Sequence, residues 1–216
     1  MLRGKFILFE GLDRSGKSTQ ARKLAEALKE RGSRVEQRHY PERSTQVGSA
    51  INSYLTKTKS LNDQAIHLLF SANRWELQQA LVDLLDSGVT VVVDRYVYSG
   101  VAFSSAKGLD REWCWQSDFG LVRPDLTIFL DISPEEASSR GGYGEEIYEK
   151  VSFQSKVKAE FALIAAKEEI RSSEAGKASW VSLNAQTSLE TLHAQILSHV
   201  DAVPDRLPGD YDFMQK

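Results

Sequence analysis

The sequence predicts an α/β fold in which a mainly parallel sheet is covered by helices on both faces. Two observations carry this. Short apolar runs suited to buried strands alternate with segments of helical period along the chain. The first of these strands also runs through a glycine-rich turn directly into a helix. In such folds ligands sit at the carboxyl ends of the strands, so the residues that follow each strand are the candidates for function.

The elements follow in order. Residues 5–10 (KFILFE) read as a buried strand, and 17–31 as a helix with Ala21, Leu24, Ala25 and Leu28 on one face, stopped by Gly32. Residues 34–40 form a second strand that Pro41 ends. Residues 61–86 read as one long helix with Ala65, Leu68, Ala72 and Trp75 in register, closed by Gly88. The run VTVVV at 89–93 is a buried strand, 96–107 and 110–121 are helical, and LTIFLD at 126–131 is a further strand. Pro134 after Ser133 opens another helix at its first position. Residues 141–144 interrupt that helix as a mobile loop, and helix resumes over 149–170. A last strand at 178–183 and a last helix at 187–200 precede a tail, 204–216, expected on the surface.

Bulk composition narrows the partners. The 216 residues, 41% of them hydrophobic, are enough for one sizeable core, read as a single domain over 1–216 with a lid at about 136–150. Lys and Arg number 27 against 30 Asp and Glu, a balance that argues against nucleic acid as a partner. The one cysteine, Cys114, permits no disulfide within the chain. It reads as a buried apolar residue and fits a reducing, cytoplasmic compartment, with a nuclear or mitochondrial pool left open. No apolar run approaches the ~20 residues that a membrane-spanning helix needs, and the first residues lead straight into a strand rather than forming a signal peptide. The four histidines show no metal-ligand spacing.

The turn after the first strand is Gly11-Leu12-Asp13-Arg14-Ser15-Gly16-Lys17-Ser18-Thr19, the pattern G-x-x-x-x-G-K-[ST] between a strand and a helix. Its glycines let backbone N–H groups curl around phosphate oxygens, and the helix N-terminus adds partial positive charge. Lys17 is suited to the β- and γ-phosphates of a nucleoside triphosphate and Ser18 to Mg²⁺. Arg43 follows the second strand, and Asp94-Arg95 ends the third. An Asp at such a place commonly holds Mg²⁺ through water, and it also suits the role of helix cap. A single loop arginine is more often a solvated surface group. Four cations at the expected cleft of an acidic chain, Arg14, Lys17, Arg43 and Arg95, carry far more weight together, because phosphoryl transfer needs positive charge around the moving group. On the 61–86 helix Phe70 and Arg74 stand four apart and share a face. They suit stacking on a base and donating to its carbonyl, or else a core phenylalanine beside a surface ion pair.

Taken together, FEGLDRSGKSTQ, YPERST, LLFSANRWE, DRYVYSGVAFSSAKG and the run 144–149 (GEEIYE) resemble eukaryotic-type thymidylate kinases over positions 6–154. The resemblance implies a three-layer P-loop fold of the nucleoside monophosphate kinase type: a five-stranded parallel sheet, helices on both faces, a short lid and a homodimer. It implies transfer of the γ-phosphoryl of ATP to dTMP, with Mg²⁺ held by Ser18 and, through water, Asp94. Catalysis would fall to Arg14, Lys17, Asp94 and Arg95. ATP would lie against Gly11, Asp13, Arg14, Ser15, Gly16, Lys17, Ser18 and Thr19, with Arg140, Asn184, Ala185 and Gln186 near its adenine. Asp13 would meet the sugar 3′-hydroxyl of dTMP, while Arg43 and Arg95 would hold its phosphate. Phe70 would stack on thymine, Arg74 would bond its carbonyl, and Ser99 and Gly100 would line the base. Phe103 would lie near the deoxyribose, and Tyr148 and Gln154 would approach the nucleoside.

One departure from the family pattern stands out. Ile147 occupies the place where an arginine often precedes the lid tyrosine, and 141–148 contains no basic residue, so the transition-state cation falls to Arg14, with Arg140 as the nearby substitute. A GTPase would want N-K-x-D and a later D-x-x-G, both absent. A deoxynucleoside kinase would not need both Arg43 and Arg95, and a binding-only relative would not keep Arg14, Lys17, Ser18 and Asp94.

Overall fold

The computed structural model describes residues 2–141, 146–174, 179–204, 207–208 and 210–215. Five strands, β2 (Phe6–Gly11), β3 (Val35–His39), β4 (Thr90–Asp94), β5 (Leu126–Asp131) and β6 (Trp180–Asn184), form one parallel sheet in the order β3-β4-β2-β5-β6. All six residues of β2 are buried, as are the first five of β5. Burial without alternation requires cover on both faces of the sheet. The helices supply it: α1 (Lys17–Glu30), α2 (Gln46–Leu55), α3 (Asp63–Glu76), α4 (Gln78–Asp86), α5 (Val97–Ala106), α6 (Arg111–Gln116), α7 (Pro134–Ser139), α8 (Val151–Glu174) and α9 (Leu189–Asp201). Two short strands, β1 (Leu2–Arg3) and β7 (Leu207–Pro208), pair antiparallel apart from the main sheet.

Several boundaries differ from the sequence reading. Residues 61–86 are two helices, α3 and α4, meeting at Leu77, where φ is −103° and ψ −2°. The helix expected over 110–121 ends at Gln116. Helix α2 was not anticipated. Its sequence, QVGSAINSYL, mixes Gly, Ser, Asn and β-branched residues of low helix propensity. Thr45 caps it by accepting from Gly48 N at 2.9 Å, and Gly48 is required because a Cβ there would lie 1.8 Å from Glu42 O.

Helix α3 also turns its expected face outward. Leu68 is 48% and Trp75 41% exposed, whereas His67, Ser71, Asn73 and Arg74 are buried. Polar side chains can occupy the inner face because each finds a hydrogen-bond partner. The loop expected at 141–144 falls, from 142 on, outside the described residues. The tail is not merely superficial: Met214 is 1% exposed in the main core, and its N–H donates to Leu121 O at 2.8 Å. A second, smaller cluster of Ile51, Tyr54, Leu55, Ile66 and Tyr148 joins α2 and α3 to the segment before α8.

Candidate active site

The glycine-rich turn links β2 to α1, and Gly16 adopts the left-handed conformation at the N-terminus of α1 (φ 98°). The Lys17 ammonium turns back into the turn, donating to Leu12 O at 2.6 Å and Ser15 Oγ at 3.3 Å. Burial, with the Arg95 charge adding to it, pushes its pKa down to about 8, against the opposing pull of Asp94, Asp13 and Glu10. Ser18 Oγ donates to Asp94 Oδ2 at 2.5 Å. Among the described residues the other carboxylate oxygen, the buried Asp94 Oδ1, has no hydrogen-bond partner. A buried, unsatisfied carboxylate oxygen beside a hydroxyl suits a hard divalent cation, so these residues fit Mg²⁺.

Arg95 follows β4 with a left-handed backbone (φ 66°). Its guanidinium pairs with Asp13, donates to Ser99 Oγ at 2.9 Å and Gly11 O at 3.3 Å, and lies 5.1 Å from the Phe103 ring centroid. Arg14 pairs with Glu149 at 3.0 Å, and Arg43 with Glu146 at 2.7 Å. Three arginines of the cleft are thus each matched to a carboxylate. Arg140 bridges two sides of the site, donating to Arg14 O at 2.9 Å and Ala185 O at 2.8 Å.

One cavity of about 860 Å³ gathers these groups. Asp13, Arg14, Gly16, Lys17, Ser18, Thr19, Asp94, Arg95 and Arg140 line it. Arg43, Phe70, Arg74, Ser99, Gly100, Phe103 and Tyr148 line the same cavity. Six expected residues do not line it. Gly11 and the buried Ser15 lie within the turn, and Ala185 is 3% exposed with its carbonyl on Arg140. Asn184 and Gln186 are exposed beside it. Gln154 is fully buried, taking Asp13 N on its Oε1 at 3.2 Å and donating from Nε2 to Asp13 Oδ2 at 2.7 Å and Tyr148 O at 3.0 Å. It braces the turn against the segment that precedes α8. Ile147 packs on the smaller cluster, its N–H donating to Leu55 O at 3.3 Å.

The sequence reading overlooked Leu189, Glu146 and Glu149, which line the cavity, and Glu10, which does not. Glu10 is fully buried and accepts from Tyr96 N, Ser99 N and Ser99 Oγ at 2.9, 3.0 and 2.5 Å. Burial raises its carboxyl pKa, with these hydrogen bonds opposing. An acidic residue ending an apolar strand was the available signal.

Comparison with known proteins identifies the family. The family described as thymidylate kinase matches residues 9–196. The thymidylate kinase of Schizosaccharomyces pombe is 49% identical over 201 residues, 93% of each chain. That of Homo sapiens is 44% identical over 195 residues, 90% of this chain and 88% of the human one. The solved thymidylate kinase of Candida albicans superposes over 100% of both chains with a TM-score of 0.87 and 37% identity. Motifs, fold and relatives converge: the chain belongs to the thymidylate kinase family, phosphotransferases that use ATP to phosphorylate dTMP.

Proposed function

We propose that this chain transfers the γ-phosphoryl of ATP to dTMP through the cavity just described, with donor and acceptor entering from opposite ends. The observation that carries this reading is that one cavity is lined by both the phosphate-binding turn and Arg43, Phe70, Arg74 and Arg95. ATP lies along the turn, with Arg140 and the residues around Ala185 beside its adenine. dTMP lies with its phosphate at Arg43 and Arg95, its sugar near Asp13 and Phe103, and its base between Phe70, Arg74, Ser99 and Gly100. Tyr148 closes over the nucleoside, and Gln154 acts behind it by fixing Asp13 and Tyr148. An oxygen of the dTMP phosphate attacks the γ-phosphorus while the bond to the β–γ bridging oxygen breaks, giving dTDP and ADP.

Catalysis here is positioning and charge stabilisation. Lys17 holds the donor phosphates, Arg95 the acceptor, and Arg14 sits between them. Ser18 and, through water, Asp94 would hold Mg²⁺, which supplies neutralisation of phosphate charge. The carboxylates now paired with Arg14, Arg43 and Arg95 exchange for substrate phosphates, so the arginines are kept oriented without a costly unpaired charge. Leu68 and Trp75, seven apart on α3 and exposed by 48 and 41%, support self-association as a homodimer. Among the described residues no helix is long and apolar enough to cross a membrane. The lone buried Cys114 supports a reducing compartment.

The test is a coupled assay with dTMP, dUMP, AMP and thymidine as acceptors, run on the wild type and Arg43→Ala. The wild type should favour dTMP, and Arg43→Ala should erase the advantage of dTMP over thymidine, which lacks the phosphate that Arg43 binds. A wild type that favours thymidine or AMP would overturn the assignment. An undiminished preference for the monophosphate in Arg43→Ala would remove Arg43 from the acceptor site.

A further inference from the structure

The geometry points to Asp118 as a positioning residue that sets base selectivity by fixing Arg74. Asp118 lies in the turn after α6, a segment with no part in the phosphate or nucleoside site. It is fully buried, and Arg74 is 2% exposed. The two meet fork to fork: Arg74 Nε donates to Asp118 Oδ1 at 3.0 Å and Nη2 to Oδ2 at 2.7 Å. Bidentate pairs of this kind fix a guanidinium in plane and direction. Ser71, one turn earlier on α3, has its Oγ 2.9 Å from the same Asp118 Oδ1 and 2.9 Å from Ser117 O, the two acceptors sharing its one proton. Asp118 is thereby held from a second side.

The opposite edge of the guanidinium, Nη1 and Nη2, faces Gly100, and both residues line the cavity. A Cβ at position 100 would stand 2.7 Å from Nη2 and 3.0 Å from Nη1. The absence of a side chain at Gly100 is therefore what leaves room for this orientation. With Nε and one hydrogen of Nη2 committed to Asp118, the donors left are those of Nη1 and the second of Nη2. Arginine carries no acceptor and stays protonated. A fixed row of donors accepts a pyrimidine whose 4-position is a carbonyl, as in thymine, and opposes one whose 4-position is an amine, as in cytosine. Without Asp118 the long side chain is free to swing, and the discrimination loosens.

This inference rests on the reading that Arg74 meets the base, so the experiment separates the two. Steady-state kinetics with ATP and either dTMP or dCMP are measured on the wild type, Asp118→Asn, Arg74→Ala and the double variant. Asp118→Asn keeps the shape and removes the charge. It should raise KM for dTMP roughly tenfold or more, the scale of losing a hydrogen bond to a charged group. KM for ATP and kcat should stay near wild type, and the dTMP-over-dCMP preference should fall. In the Arg74→Ala background the same change should do nothing further to KM for dTMP. If Arg74→Ala is selective for dTMP but Asp118→Asn is not, Asp118 has no positioning role and the Arg74 reading stands. If Arg74→Ala leaves KM for dTMP unchanged, that reading fails and this inference with it. A loss of thermal stability in Asp118→Asn with unaltered kinetics also overturns it. Should Asp118→Asn not fold, Ser71→Ala decides. By freeing Asp118 Oδ1 it should shift KM for dTMP, and not for ATP, in the same direction and by less, and an unshifted KM for dTMP overturns the proposal.

Discussion

Arg14 is the residue on which the proposed chemistry depends most. It sits in the phosphate-binding turn with a left-handed backbone (φ 61°), and its Nε pairs with Glu149. Lys17 and Arg95 have other assignments, and Ile147 is packed into an apolar cluster. On the proposed reading Arg14 is the cation that neutralises charge on the moving phosphoryl. A cation in such a role accelerates transfer by roughly 10³–10⁵-fold. Arg14→Gly should lower kcat by orders of magnitude and change either KM little, as expected of a contact made only in the transition state. Glycine also suits the left-handed backbone, so the variant should fold normally. A rise confined to KM for ATP would assign Arg14 to ground-state binding. A larger loss of kcat in Arg140→Ala would move the role to Arg140, whose bonds to Arg14 O and Ala185 O otherwise mark it as a brace.

At the scale of elements, α5 is held by a cap from another strand. Tyr96, its N-cap residue, supplies no side-chain bond, and four N–H groups at a helix start need partners. Glu10, at the end of β2, takes two of them, Tyr96 N and Ser99 N, together with Ser99 Oγ. The same turn carries Arg95 and Ser99 into the cleft, so the cap connects the central strand to the acceptor site. Glu10→Ala leaves buried donors unsatisfied at about 1–3 kcal/mol each. The unfolding free energy should fall by at least ~2 kcal/mol, and amide exchange at Val97–Gly100 should quicken relative to β4. Unchanged exchange there would show that the cap is dispensable. Helix α3 follows the same logic: its inner face is polar because Asp118, Ser117 and Glu42 stand ready to pair with Arg74, Ser71 and Asn73.

At the scale of the whole molecule, the tail closes the end of the sheet opposite the active site. The β1–β7 pair precedes the amino end of β2, where Asp125 accepts from Phe6 N at 2.8 Å and pairs with Arg3 at 2.7 Å. Asp212 pairs with Arg171 and its carbonyl accepts from Arg123 N at 2.8 Å, while Tyr211 donates to Asp86 at 2.7 Å. Met214 then fills a core position beside Leu121. Truncating a buried methionine costs about 2–5 kcal/mol. Met214→Ala should therefore lower the midpoint of urea unfolding with both KM values unchanged, since the cleft lies at the carboxyl ends of the strands. A matching loss of substrate affinity would mean that the two ends of the sheet are coupled.

Much of this protein was legible in its sequence because the signals are local. The apolar runs of β2, β4 and β5, the glycine turn ahead of Lys17, and the cations after β2, β3 and β4 are all spelled out within a few residues. Topology then carries those strand ends to one cleft whatever the detail of packing. Tertiary structure alone decided the pairings. Arg74 finds Asp118 across 44 residues, Asp13 finds Gln154 across 141, and Met214 finds its slot at Leu121. It also decided that α3 breaks from α4 at Leu77 and shows Leu68 and Trp75 to solvent. Helical period says which residues share a face, but not which face the rest of the molecule will satisfy. A polar face is buried where distant partners complete its hydrogen bonds, and that is a property of the assembled fold.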